Sequence, residues 1–353
     1  MKPIYVTSTE EGTGKTAIAI AIAKLSQDDD TVVGYFKPKG TRLKSPVGKT
    51  RDEDPMLAKK VLGIDSDLAE LEPVVYSPAF IEEALRGQID VDEIRDRVRT
   101  HFEDVAADHD LVVIEGGGEP STGGIVGLTD PEVAELLGAK TVLVAHYSNP
   151  GDVDKVLATA RQFGDDLGGV VFNAVADADY DELTTDVVPF LEGQDIPVLG
   201  IVPRVEDLAG VTVGELTDAL GAELLNPDVS TDGVVERFSV GAMGSDTALT
   251  HFRRLRNAAL VIGGDRSEIQ ALALEAPGIE CIVLTGGHRP SGALLGKASD
   301  SDVPVVLVQA DTKVTVNRIE DMLTTGRTRD VATIDRMAGL LSDHADLESL
   351  TED

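Results

Sequence analysis

The feature that most constrains this chain is a repeated alternation of short β-branched runs with amphipathic stretches. "PIYVTS", "TVVGYFKP", "LVVIEGGG", "TVLVAHY", "GVVFNAV" and "PVLGIVP" follow one another, separated by helical segments such as "TAIAIAIAKLSQ", "DPEVAELLG" and "DVDKVLATARQF". Runs that are apolar on both faces and joined by helices specify a doubly wound, mostly parallel α/β sheet. A ligand site in such a sheet is expected at the carboxyl ends of the strands.

The rhythm weakens after Pro203 through a stretch that contains Pro227 and a polar cluster, which marks a boundary. A second, smaller α/β unit then begins, with strands expected at "AALVIGG", "IECIVLTGG" and "PVVLVQAD" and a helix at "VNRIEDML". The expected division is 1–225 for the first domain, 226–330 for the second and 331–353 for a C-terminal helix with an acidic tail. At 353 residues the chain is long enough for two cores, and 42% hydrophobic residues with 35 glycines suit a globular α/β protein.

"STEEGTGKT" lies between the first strand and the first helix. It ends as a phosphate-binding loop does, in Gly14, Lys15 and Thr16, but it carries Thr9 where the GxxxxGK[ST] pattern has its first glycine. Backbone N–H groups of Glu11, Gly12, Thr13 and Gly14 would meet phosphate, Lys15 would neutralise it and the Thr16 hydroxyl would ligate Mg²⁺. The competing reading is a glycine-rich turn that only joins strand to helix. Three other strand or helix ends carry suitable chemistry: Lys37 in "YFKPKG", Asp52 and Asp54 in "RDEDPM", and Glu115 in "VVIEGGG". Two carboxylates and a threonine hydroxyl suit a hard divalent ion. Asp54 also fits a helix N-terminal cap, and Glu115 is costly to bury without a partner.

Charge excludes some partners. The chain has 63 acidic and 31 basic residues and a net charge of -32. Acids spread along the whole sequence, without a basic stripe, argue against a nucleic-acid partner. They fit a halophilic protein, because molar salt shortens the screening length to about 3 Å. No apolar window reaches about 18 residues, so no membrane partner is expected. The single cysteine, Cys281, sits in the apolar run "IECIVL" and reads as a buried thiol in a reducing compartment. A cytoplasmic protein is the expectation.

Together, "STEEGTGKT", "FKP", "DP", "EGGG", "FNAV" and "GIVPR" resemble the dethiobiotin synthetase and cobyrinic acid a,c-diamide synthase branch of P-loop NTPases. In that branch the first glycine of the loop is often missing, so Thr9 does not count against it. The resemblance implies ATP and Mg²⁺ as cofactors, with Lys15 and Thr16 on phosphate and metal and Lys37 on the γ-phosphate or substrate. It also implies Asp54 and Glu115 as metal ligands, and Asn173, with Pro203, Arg204 and the loop that follows, at adenine. Read on its own, Asn173 has the alternative of a polar strand-end residue bonded to its own loop.

The second unit is similar to the DRTGG domain, whose split signature stands here as Asp265-Arg266 and Thr285-Gly286-Gly287. This domain order is similar to the N-terminal portion of long phosphate acetyltransferases, of the phosphotransacetylase family. Their transferase domain follows DRTGG, whereas this sequence stops shortly beyond it, so acetyl transfer is not expected. Both signature loops run strand, Gly-Gly, basic residue, helix. Gly264, Asp265, Arg266, Thr285, Gly286, Gly287 and Arg289 could frame a small anionic ligand such as a nucleotide; ordinary strand-to-helix turns are the plainer alternative. His288 reads as a solvent-facing loop residue.

Two functions follow as expectations. One is a nucleotide-responsive regulator with an anionic effector, forming a homodimer or higher homo-oligomer and hydrolysing ATP weakly if at all. The other is an ATP-dependent ligase that activates a small carboxylate or carbamate by phosphoryl transfer.

Overall fold

The computed structural model describes residues 3–27, 31–41, 43–44, 51–205, 208, 210–325 and 330–347. The chain forms two compact units, Met1–Arg204 with Arg329–Asp353, and Val205–Thr328.

The first unit is built on six strands: β1 (Ile4–Ser8), β2 (Val33–Phe36), β3 (Leu111–Glu115), β4 (Lys140–Ala145), β5 (Leu167–Val175) and β6 (Val198–Pro203). They pair in the order β6-β5-β4-β1-β3-β2, and every pairing is parallel. All residues of β1, β2 and β3 are buried, as expected of strands covered on both faces. The helix α1 (Lys15–Gln27) is buried continuously from Thr16 to Ala23. Its alternating alanines and isoleucines suit a helix enclosed on several sides: it packs on β1, β2 and β3, on α2 (Glu53–Leu62) and on the C-terminal helix Val331–His344.

That last contact changes the expected organisation. Ile334, Met337, Ala338 and Leu341 of the C-terminal helix are buried, and Ala345 bridges to Gly200 of β6. Residues 331–345 are therefore part of the first unit; the acidic tail expected after them, 348–353, lies outside the described residues.

The second unit has a five-stranded sheet of β7 (Glu223–Leu224), β8 (Arg237–Val240), β9 (Ala258–Gly263), β10 (Ile279–Thr285) and β11 (Val305–Leu307). The order is β7-β11-β10-β9-β8, with only the β7–β11 pair antiparallel. The chain divides ahead of the expected 225/226 boundary. Val211, Val213, Leu216 and Leu220 bury themselves with Val261, Cys281 and Val283 of this second core, which draws residues 211–225 into it. Cys281 is a free, buried thiol, and burial pushes it up to about 12. Among the described residues, no helix is long and apolar enough to cross a membrane.

Candidate functional site in the first unit and the paired loops of the second

The chain leaves β1 at Ser8 and enters a loop fixed at both ends. Thr9 N donates to the Val144 carbonyl at 3.0 Å, and Ile18 N donates to the Gly14 carbonyl at 3.0 Å as α1 starts. Gly12 and Gly14 hold φ of +79° and +87°, the left-handed region that side-chain-bearing residues rarely adopt. At Gly14 space adds a second requirement. A Cβ there would lie 2.4 Å from Asn173 Nδ2, and that same nitrogen donates to the Thr13 carbonyl at 2.7 Å. Asn173 is thus a buried strut beneath the loop.

The two glutamates point away from the loop's interior. Glu10 pairs with Lys155 at 2.7 Å on the surface, and Glu11 is exposed. An acidic loop therefore does not place acids where backbone N–H groups would hold an anion. Lys15 is half-buried and donates to the Gly118 carbonyl at 2.7 Å. Burial lowers its pKa, with Asp130 working against the shift.

A buried cluster sits beside this loop. Lys37 Nζ contacts Asp54 Oδ2, lies 3.2 Å from Glu115 Oε1 and 3.7 Å from Asp52 Oδ2. All four side chains are at most 1% exposed. Burial alone would lower the Lys37 pKa, but Asp54, Glu115 and Asp52 outweigh it and the net direction is upward, so the ammonium is held charged. Glu115 also accepts from the Thr16 hydroxyl at Oε1 and from Tyr35 OH at Oε2, 2.6 Å away. One carboxylate at the end of β3 thereby joins the helix threonine, the β2 tyrosine and the lysine. Asp54 is not the helix cap: Asp52 caps α2, its Oδ1 accepting Asp54 N at 2.9 Å.

Thr16 meets Glu115, and Glu115 and Asp54 meet at Lys37 Nζ; the hydroxyl and two carboxylates are hard oxygen donors of the kind Mg²⁺ takes. Among the described residues, no group of three or more His, Cys, Asp or Glu side chains is arranged to hold a metal. An ion held by these donors would need oxygens from a bound phosphate as well.

Sequence reasoning missed a second buried ion pair. Lys39 Nζ donates to Asp130 Oδ1 at 2.7 Å and to the Leu128 carbonyl at 2.8 Å, while Asp130 also accepts from Tyr5 OH at 2.9 Å and Thr7 Oγ1 at 2.6 Å. This pair supports the glycine turn after β3. A Cβ at Gly116 would meet Asp130 Oδ2 at 2.3 Å, and one at Gly117 would meet the Lys39 carbonyl at 2.5 Å. The spacing "KPK" offered a hint of Lys39, but nothing local marks Asp130, which reads as an ordinary acidic first turn before Pro131.

Pro203 ends β6 beside Val175 of β5, and Arg204 N donates to the Val175 carbonyl at 2.8 Å. These two residues and Asn173 thus occupy neighbouring strand ends.

In the second unit the two signature loops touch. A Cβ at Gly264 would lie 1.9 Å from the His288 carbonyl, so only glycine permits this approach. Gly286 and Gly287 take φ of +79° and +71°, and Thr285 Oγ1 is 2.7 Å from Thr312 Oγ1. The arginines are engaged structurally. Arg266 donates to the Gly241 carbonyl and, at 3.0 Å, to the Met243 carbonyl, whereas Arg289 forks onto both Glu223 oxygens at 2.6 and 2.5 Å on the surface. Asp265 is exposed, and the helix Ser267–Ala273 has no side-chain cap.

Comparison with known proteins agrees with this layout. Residues 2–212 match the family model described as AAA domain, and residues 215–322 match the DRTGG domain. The chain is similar to phosphate acetyltransferase of Pseudomonas putida, 24% identical over 341 residues that cover 91% of this chain and 47% of that protein. It is also similar to the ATP-dependent dethiobiotin synthetase of Methanocaldococcus jannaschii, 26% identical over 214 residues that cover 58% of this chain and 95% of that enzyme. The chain spans about half the length of the curated acetyltransferases it matches. Among solved structures, the CBS and DRTGG domains of the Clostridium perfringens pyrophosphatase regulatory region, complexed with the activator diadenosine tetraphosphate, align at a TM-score of 0.29 and 18% identity. That alignment covers 41% of this chain and 70% of that one.

Proposed function

Because the chain belongs to the AAA domain family over residues 2–212 and carries a DRTGG domain after it, we propose that it is a nucleotide-responsive regulator. In this reading ATP and Mg²⁺ occupy the loop of the first unit, and a small anionic effector occupies the paired glycine loops of the second. The observation that carries the reading is the junction at Glu115, where Thr16 and Lys37 meet one carboxylate at the mouth of a strand–loop–helix.

Backbone N–H groups of residues 12–16 bind the phosphates, and Lys15 exchanges the Gly118 carbonyl for a phosphate oxygen. Lys37 faces the terminal phosphate, held in place by Asp54 and Glu115. Thr16, Asp54 and Glu115 would hold Mg²⁺, which would neutralise charge on the bound phosphates. Asn173, Pro203 and Arg204 lie at the adenine end. The chain works as a homo-oligomer in a salt-rich cytoplasm. In this reading both units recognise small anions.

Calorimetry of the full chain with ATP and ADP, with and without Mg²⁺ in molar KCl, tests this. Mg²⁺-dependent binding to wild type that is lost in Lys15→Ala supports it; no heat with either nucleotide refutes it.

A second reading is favoured by one observation: the match spans nearly the whole length of an ATP-dependent dethiobiotin synthetase. There the site transfers the γ-phosphoryl to a small carboxylate or carbamate, with Lys37 stabilising the charge that develops. ATP turnover measured across a panel of small carboxylic and amino acids separates the two. Strong stimulation by one compound selects the ligase, and uniformly slow turnover selects the regulator.

A further inference from the structure

Glu72 is a buried carboxylate that neither reading uses. It is 0% exposed and sits just after a short helix, Leu68–Leu71. Two consecutive residues here hold both halves of the Lys37 cluster. The Leu71 carbonyl accepts Lys37 N at 2.8 Å, and Glu72 Oε2 accepts Asp52 N at 3.0 Å. Asp52 passes the constraint on: Oδ1 accepts Asp54 N at 2.9 Å, and Oδ2 accepts Thr41 N at 2.8 Å and lies 3.7 Å from Lys37 Nζ. Asp54 in turn contacts Lys37. Arg51 closes the far side, its Nη1 donating to the Glu72 carbonyl at 3.2 Å.

The room for this side chain is made by a glycine. A Cβ at Gly40 would lie 2.0 Å from Glu72 Oε1 and 3.0 Å from Asp52 Cβ. Among the described residues Oε1 has no hydrogen-bond partner although it is buried, which is expensive for a polar atom. A merely space-filling residue at this position would be apolar. Among the described residues the hydrogen bond of the other oxygen is the one from Asp52 N, which ties Glu72 to the cluster.

We infer that Glu72 is a positioning residue for the phosphoryl-facing lysine: through the Asp52 amide it sets where Asp54 and Lys37 Nζ stand. This rests on the reading that Lys37 faces the terminal phosphate. Glu72 touches neither phosphate nor metal in this account. Burial, reinforced by Asp52 and opposed by the Asp52 amide, Arg51 and Lys37, pushes its carboxyl up to about 7. Glutamine, which mimics the protonated acid and keeps an acceptor for Asp52 N, is thus the conservative replacement.

Two measurements on the full chain test the inference. The first needs no nucleotide: the Lys37 Nζ and Asp54 amide resonances are compared in wild type, Glu72→Gln and Glu72→Ala by NMR with selectively labelled lysine and aspartate. Both signals should move in Glu72→Ala and return towards wild type in Glu72→Gln; movement confined to the Asp52 amide overturns the inference. The second is calorimetry with Mg²⁺–ATP, where Glu72→Ala should weaken binding on the order of tenfold, as loss of an outer-shell partner does, and Glu72→Gln should restore most of it. Equal affinities in all three proteins overturn the inference. Failure of wild type to bind ATP refutes the proposed function instead, and the resonances still decide the role of Glu72.

Discussion

Lys37 and Glu115 stand 3.2 Å apart, Nζ to Oε1, from the ends of two adjacent parallel strands, at 1% and 0% exposure. Asp54 completes the cluster from α2. Removing the ammonium takes away the positive charge shared by three buried carboxylates. Lys37→Met should therefore destabilise the first unit by about 3–5 kcal/mol, and pairing it with Glu115→Gln should recover part of the loss. Urea unfolding of the two variants in molar KCl checks both signs.

Gly14 is required twice, by its φ of +87° and by the Asn173 amide packed against it. Gly14→Ala should cost at least the 1–2 kcal/mol of a left-handed alanine and abolish nucleotide binding, since the side chain also displaces the strut. Asn173→Ala should cost about 1 kcal/mol, the worth of its bond to Thr13. Thermal unfolding with nucleotide titration separates the two effects.

Glu72 gives the stability a sign with pH. Its folded pKa is raised from 4.5 to about 7, so its contribution is full below the unfolded value and is lost as pH rises through the folded one. The stability difference between wild type and Glu72→Gln should accordingly shrink or turn against wild type between about pH 4.5 and 7 and level off above. Chemical unfolding of both proteins over that range reads the difference, in which the titration of groups remote from Glu72 cancels.

The net charge of -32 predicts a fourth behaviour. Melting temperature should climb steadily as KCl rises from about 0.1 M to molar concentration, because the screening length shortens from about 10 Å to about 3 Å. A melting temperature independent of salt contradicts the halophilic reading.

Much of this was legible in the sequence because it is local. The strand–loop–helix of "STEEGTGKT" announced itself by period and by Gly14-Lys15-Thr16, and the ends of β2 and β3 delivered Lys37 and Glu115 at the expected edge. What was hidden is long-range. Asp130 meets Tyr5, Thr7 and Lys39 from over ninety residues away, and only the fold shows it to be the base of the glycine turn. Glu72 and Asp52 are twenty residues apart; Asp52 stood out at a helix start, but nothing local marked Glu72 in a chain full of acids. The boundary was placed late because polarity and Pro227 signal a loop, whereas membership of a core depends on which sheet Val213 and Leu216 reach. The roles expected of Arg266 and Arg289 rested on the loop pattern and signature, which do not reveal that Gly241, Met243 and Glu223 already engage them.

Hydrogen–deuterium exchange of the full chain with and without Mg²⁺–ATP tests the central claim most directly, because it reports where the nucleotide sits. The account predicts slowed exchange in residues 9–16 and 115–118, absent in Lys15→Ala; protection confined to residues 263–289, or none anywhere, would contradict it.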